Sequence, residues 1–337
     1  MAHGDDVVYI VIEVVIAFVS CLGNLLVIGA VRLNHSLREP TFLFVVSLAV
    51  ADLAVGAAVI PLAIILIAGL ETHFYACLFL SCVILILTQS SILSLLAIAL
   101  DRYLRVKIPV RYRTVVTQRR AWGVVAACWL LSIMLGIIPM LGWNNKASPG
   151  NETVSSSCMN CTFLSVISMP YMVYLNFFGW VLVPLLLMIC LYVEIFYRIR
   201  KQLNQNTGNS TESTRYYRKE QKLARSLALV LFLFAACWLP LHIMNSIQLF
   251  SPQTEVPLIA IYSGILLTHG NSAANPIVYA FRIKKFRDTY AQLWNKYFRW
   301  EEPGLPSSTT VERNSDAQVA DSTVERSKTI SAGSVYQ

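Results

Sequence analysis

An all-α membrane protein is what this sequence predicts: a seven-transmembrane helix bundle, N-terminus outside, with a short amphipathic helix after the seventh span. Three observations carry that expectation. First, 56% of the 337 residues are hydrophobic and only 14% charged, whereas a soluble chain has about 25% charged residues. A soluble globular domain is excluded, and disorder of the whole chain with it. Second, a bilayer core takes roughly 20 consecutive apolar residues in a helix. Stretches at about 7–31, 41–67, 77–100, 121–142, 171–193, 226–250 and 257–281 meet that length. Third, all but one of the 27 Lys and Arg residues fall in the loops after spans 1, 3 and 5 or in the tail; the exception is Lys146. Basic loops face the cytoplasm, so the formal charge of +8 sets orientation and is no sign of a nucleic-acid partner.

The elements follow in order. Residues 1–6 form a short extracellular N-terminus. They lack the basic n-region of a signal peptide, and the apolar run behind them is too long for a cleaved one, so span 1 is expected to be retained. Residues 7–281 make up the bundle. Pro61, Pro139, Pro184, Pro240 and Pro276 lie inside spans, where neighbouring helices can satisfy the carbonyls they free. Asn151 and Asn160 begin sequons in the long outer loop and are expected to be glycosylated; Asn209 begins a third on the cytoplasmic side, expected to be unused. Cys21, Cys82, Cys128, Cys190 and Cys237 lie within spans as small reduced hydrophobes. Cys77 opens span 3 on the oxidising side, and its partner is Cys161 or Cys158; spacing leaves both open. Residues 282–300 alternate basic and apolar side chains, as suits an amphipathic helix on anionic membrane lipid. No Cys follows Cys237, so a lipid anchor there is not expected. Residues 301–337, rich in Ser and Thr, read as a disordered cytoplasmic tail.

Ionisable groups inside a bilayer are functional candidates, because each costs at least ~2.5–3.5 kcal/mol when acidic or basic. Four stand within spans: Glu13, Asp52, His242 and His269. Glu13 and His269 lie at similar depth and can pair as carboxylate and imidazole. Asp52 has no Lys or Arg in any span to meet it. Asn24, Ser91, Asn271, Ser272 and Asn275 offer a polar cluster, and a sodium ion held by oxygens at Asp52, Ser91 and Asn271 is the expectation there; no other cofactor is expected.

Further motifs stand on successive spans. They are Gly23-Asn24; Leu48-Ala49-Val50-Ala51-Asp52; Asp101-Arg102-Tyr103; Trp129; Pro184 with Tyr192; Cys237-Trp238-Leu239-Pro240; and Asn275-Pro276-Ile277-Val278-Tyr279. In that order they resemble the rhodopsin-like G-protein-coupled receptors. The resemblance makes Asp101, Arg102, Tyr103, Tyr192, Trp238, Pro240, Asn275, Pro276 and Tyr279 the coupling and switch residues. Arg102 beside Asp101 can hold the inner face closed, Pro240 permits a kink, and Tyr192 and Tyr279 can bridge through water when helices rearrange.

Span 7 has no Lys for a retinal Schiff base, and Ile84 stands where amine receptors carry an Asp. What remains resembles the adenosine receptors from about Tyr9 to about Arg299. By that resemblance Phe163 stacks on adenine and Asn245 holds its edge. Leu241, His242, Met172, Asn176, Leu85 and Ile265 line the cavity, above Trp238. Thr88, Thr268 and His269, the last oriented by Glu13, reach the ribose. An aromatic face is worth about 1–3 kcal/mol to a stacked base, and Asn pairs bidentately with the N6/N7 edge of adenine. No basic cluster lines the site, so a nucleoside suits it better than a nucleotide. Leu164 replaces an acidic residue found in several adenosine receptors and, like Glu255-Val256-Pro257, resembles type 3; His242 and Thr268 resemble type 1. Type 3 is favoured. Both types imply adenosine as ligand, a heterotrimeric G protein of the inhibitory class, lowered adenylate cyclase activity, and arrestin and receptor kinases acting on the tail.

Two other classes are weighed. A seven-span transporter or channel is disfavoured by one-sided motifs and the lack of an internal repeat. An intramembrane enzyme is disfavoured because paired membrane Asp residues and Gly-x-Ser-x-Gly are missing. Within the receptors, another small neutral ligand is the alternative to adenosine.

Overall fold

The computed structural model describes residues 4–34, 37, 39–67, 69–146, 158–205 and 211–298. Asn151, Asn209 and the tail from Arg299 onward lie outside them. Seven long helices carry the fold: Gly4–Leu33, Pro40–Ile67, Phe74–Lys107, Gln118–Gly136, Tyr171–Gln205, Thr211–Phe250 and Leu258–Arg282. They are called spans 1 to 7 below. Helices suit lipid because every interior backbone N–H and C=O is bonded within the segment. The amphipathic segment is helical over Lys284–Phe298.

Six of the seven helices are long and apolar enough to cross a membrane by length and composition. Span 7 falls short on composition, for a reason that bears on function: Thr268, His269, Asn271, Ser272 and Asn275 all sit on it, and all are buried. Their polarity faces the bundle, where partners exist, and not lipid. Span 3 is the axis: 72% of its most apolar window is buried, against 22–33% in the other five. Val11, Phe18, Leu22, Phe79, Leu130, Leu186 and Phe232 point outward and are exposed, as a lipid-facing surface requires.

Several spans run past the apolar stretches that announce them. Span 3 continues to Lys107 and span 6 begins at Thr211. Once a helix is nucleated, each further residue adds a bond at little cost, so charge ends the membrane span without ending the helix. Two wide π-helical segments interrupt the α geometry, Val55–Val59 in span 2 and Tyr171–Leu182 in span 5. Each lies just before a proline, Pro61 or Pro184. A proline ring clashes with the carbonyl four residues back and offers it no N–H; loosening the preceding turns removes the clash. Gly23 brings span 1 against span 7. A Cβ there would stand 2.6 Å from Pro276 Cγ, so the Gly23-Asn24 motif is a packing requirement as well as a signature.

The outer mouth is stapled. Glu71–Thr72 pairs antiparallel with Met159–Asn160, and Cys161 N–H donates to Leu70 O at 2.8 Å. Cys77 is disulfide-bonded to Cys161, with Cα atoms 5.7 Å apart. Cys158 is a free, exposed thiol, which resolves the choice the spacing left open.

Candidate functional site

Three polar groups are stacked along the bundle. The outermost begins at the disulfide. Thr162 caps the short helix Phe163–Val166: its hydroxyl accepts from Ser165 N–H, and Ser165 Oγ accepts from Thr162 N–H, both at 3.2 Å. That capping box fixes Phe163 against the cluster formed by Cys77, Leu85, Cys161 and Met172. The expected aromatic wall therefore stands beside two expected lining residues.

Spans 5 and 6 supply an aromatic column. The His242 ring stacks on Phe177 at 5.0 Å and 5°, and on Trp238 at 5.9 Å and 24°; Trp238 meets Phe234 at 6.0 Å. His242 is 1% exposed, and neither ring nitrogen has a partner among the described residues. Trp238 Nε1 is likewise buried without one. Asn245, three residues outward on the same helical face, is buried, and its amide makes no hydrogen bond among the described residues. Leu241 meets span 7 at Gly264, where a Cβ would lie 3.3 Å from its side chain, and Ile265 is the next residue.

Span 7 contributes the buried Thr268 and His269. His269 Nδ1 lies 2.7 and 2.9 Å from the two Glu13 oxygens, the pairing anticipated from depth alone. The carboxylate holds the imidazole by Nδ1, which fixes the orientation of the ring. Thr88 Oγ1 donates to Ile84 O at 2.8 Å, and Thr268 Oγ1 donates to Ile265 O at 2.7 Å. With their protons committed, both hydroxyls present lone pairs. Both suit a ligand bearing hydroxyl donors.

The middle group is centred on Asp52, which is fully buried. Its Oδ1 accepts from Ser91 Oγ at 3.3 Å and Ser272 Oγ at 3.0 Å, and its Oδ2 from Asn275 Nδ2 at 2.7 Å. Asn24 Nδ2 donates to Ser272 O at 3.0 Å. Asn271 makes no bond to Asp52; its Oδ1 is buried without a partner among the described residues, as is that of Asn24.

The innermost group holds Arg102, 2% exposed. Its guanidinium donates to Asp101 Oδ2 at 2.7 Å and to Thr41 Oγ1, and reaches Glu220 Oε2 on span 6 at 3.4 Å. Asp101 also accepts from Thr41 at 2.6 Å and from Tyr112 at 2.6 Å. Burial, then the Asp101 carboxylate, push the Tyr112 phenol above its ordinary pKa, so it stays a donor at physiological pH. Arg105 bridges Glu39 at 2.7 Å and Glu220 at 3.7 Å. Tyr103 lies beneath Lys107 Nζ at 5.2 Å. Beyond, Tyr279 stacks on Phe286 of the surface helix at 5.6 Å, while Tyr192 is buried on span 5. Arg102 is thus shut in by partners on spans 2, 3 and 6. Glu220, Thr41 and Tyr112 complete the enclosure of the Asp101–Arg102 pair and were not singled out from the sequence. A lone acid among Arg218, Lys219 and Lys222 was the available signal for Glu220.

A family model described as 7 transmembrane receptor (rhodopsin family) matches residues 23–279. The chain belongs to this family. The match opens on Gly23 and closes on Tyr279, so it encloses the motifs just described. This rhodopsin-family receptor is similar to Adenosine receptor A3 of Canis lupus familiaris, 52% identical over 305 residues, covering 90% of this chain and 96% of that one. It is 54% identical to Adenosine receptor A3 of Ovis aries and 53% to that of Bos taurus, each over 285 residues, covering 85% of this chain and 89% of the relative. These likenesses favour type 3 over type 1. The receptor is a multi-pass plasma-membrane protein and not an enzyme.

Proposed function

We propose that this receptor binds extracellular adenosine and couples to inhibitory G proteins, lowering adenylate cyclase activity. The observation that carries the reading is the buried Asn245 amide, without a hydrogen bond among the described residues, one turn outward of an aromatic column, together with the hydroxyl lone pairs of Thr88 on span 3 and Thr268 on span 7. A planar base with a donor–acceptor edge, bearing a sugar with hydroxyl donors, satisfies all three features. The Adenosine receptor A3 relatives support the same ligand. Mechanistically, agonist favours the conformation whose inner face accepts the G protein: pressure on Trp238 moves span 6 about Pro240, and Glu220 leaves Arg102. Displacement of a labelled nucleoside from membranes by adenosine, with inhibitory G protein present, tests the assignment; a tracer that adenosine fails to displace contradicts it.

The oxygen set about Asp52 suits a sodium ion. Among the described residues the buried carboxylate is held by neutral donors, without charge compensation, and the carbonyl oxygens of Asn24 and Asn271 have no donor; hard cations favour such oxygens. Bound sodium would supply that charge and favour the closed form. Asp52→Asn should therefore abolish the sodium sensitivity of agonist binding; a salt response that persists in the variant, measured with equimolar potassium as control, contradicts the assignment. Glycosylation at Asn160, which is exposed, and at Asn151 fits an outward loop. Receptor kinases and arrestin acting on 301–337, and anionic lipid under 282–300, complete the proposed partners.

A further inference from the structure

Between spans 3 and 5 lies a buried amide pair, Gln89 and Asn176. Gln89 is 2% exposed, one residue after Thr88 and one helical turn inward of Leu85. Its Nε2 donates to Asn176 Oδ1 at 2.5 Å. Gln89 Oε1 has no partner among the described residues. Asn176, 3% exposed, makes one other hydrogen bond among the described residues, from Nδ2 to the Met172 thioether at 3.9 Å, a weak acceptor.

An Asn amide turns about a broad, roughly two-fold torsion and can offer a ligand either its carbonyl or its N–H. Here the carbonyl is taken. We infer that Gln89 is a specificity-determining residue: by occupying the Asn176 carbonyl it fixes Asn176 as a hydrogen-bond donor to the ligand, so the receptor selects purines with a ring acceptor at that point.

The inference rests on adenosine being the ligand and narrows how it is read. Adenine carries three ring acceptors, N1, N3 and N7. N7 belongs to the edge that Asn245 pairs with, leaving N1 or N3 to meet Asn176 Nδ2. Gln89 itself touches no ligand. It is a positioning residue, acting through Asn176.

The test compares adenosine, 1-deazaadenosine and 3-deazaadenosine as displacers of a tritiated N6-substituted adenosine from membranes bearing the full chain. An unmatched buried donor lowers affinity by about tenfold or more, so one deaza analogue should bind the wild type that much more weakly than adenosine, and which one it is assigns the nitrogen. In Gln89→Leu the freed amide can turn away from the missing acceptor. The ratio between adenosine and that analogue should then fall toward one, while adenosine affinity changes by less than about threefold. In Asn176→Ala the ratio should also collapse, with no further change on adding Gln89→Leu. A merely structural Gln89 would shift all three ligands together and leave the ratio alone. Gln89→Met serves if Gln89→Leu fails to reach the surface. A wild-type ratio retained in the Gln89 variants overturns the inference. So does equal affinity for all three ligands in the wild type, or a preference for the analogue without the acceptor, the sign of Asn176 donating to Gln89. If adenosine fails to displace the tracer at all, the ligand assignment falls first and this inference with it.

Discussion

Asn245→Ala should abolish adenosine-agonist binding while leaving the receptor at the cell surface. The residue is 8% exposed and makes no hydrogen bond among the described residues. Its removal therefore breaks nothing that holds the bundle together, whereas an amide serving as an interhelical tie would weaken folding when lost. The loss in binding combines a bidentate pair with an adenine edge left desolvated and unmatched, ~3 kcal/mol or roughly 100-fold. Saturation binding on membranes, normalised to surface protein, reads both quantities. Unchanged affinity would remove the adenine edge from span 6. Reduced surface expression with unchanged affinity would make Asn245 a structural residue.

Glu220→Gln should raise agonist-free nucleotide exchange on the G protein. Arg102 is buried with Asp101, Thr41 and Glu220 as partners, and only Glu220 belongs to span 6. When span 6 swings outward that contact is lost while the others, on spans 2 and 3, stay. The Arg102–Glu220 bond thus favours the closed form selectively. At 3.4 Å it is long for a charge-assisted bond, so about 1.5 kcal/mol, or roughly tenfold in the closed-to-open ratio, is the expected shift. Arg105, 3.7 Å from Glu220, belongs to the same contact and should give a smaller effect in the same direction when replaced. Basal exchange in purified receptor–G-protein vesicles checks this; a rate equal to wild type would show that the Glu220 contact does not bias the closed form.

The sequence made the bundle legible because lipid imposes a rule that composition can express: long apolar runs, with charge sorted to one face. It also made the Glu13–His269 pair legible, since two ionisable groups at one depth have strong reason to meet. Less was readable where the decisive partner lies far along the chain. Glu220 is 118 residues from Arg102, and although it stands as a lone acid in a basic run, nothing local names Arg102 as its partner. The choice between Cys158 and Cys161 turned on a two-residue ribbon that pairs Glu71 with Asn160, too short to be read from pattern. At Asp52 the polar cluster was visible but its bonding was not. Ser272 and Asn275 reach the carboxylate while Asn271, beside them, does not, a distinction of helical phase finer than composition resolves. The π-helical turns before Pro61 and Pro184 were hidden for a related reason: each proline marks where a helix must yield, not how.

Adenosine-stimulated nucleotide exchange on a purified inhibitory G protein, with the full chain reconstituted in lipid vesicles, tests the central claim most directly. Adenosine should accelerate exchange in a saturable manner in the wild type and leave the Asn245→Ala rate at its basal value. Exchange that another neutral ligand accelerates and adenosine does not would contradict the account.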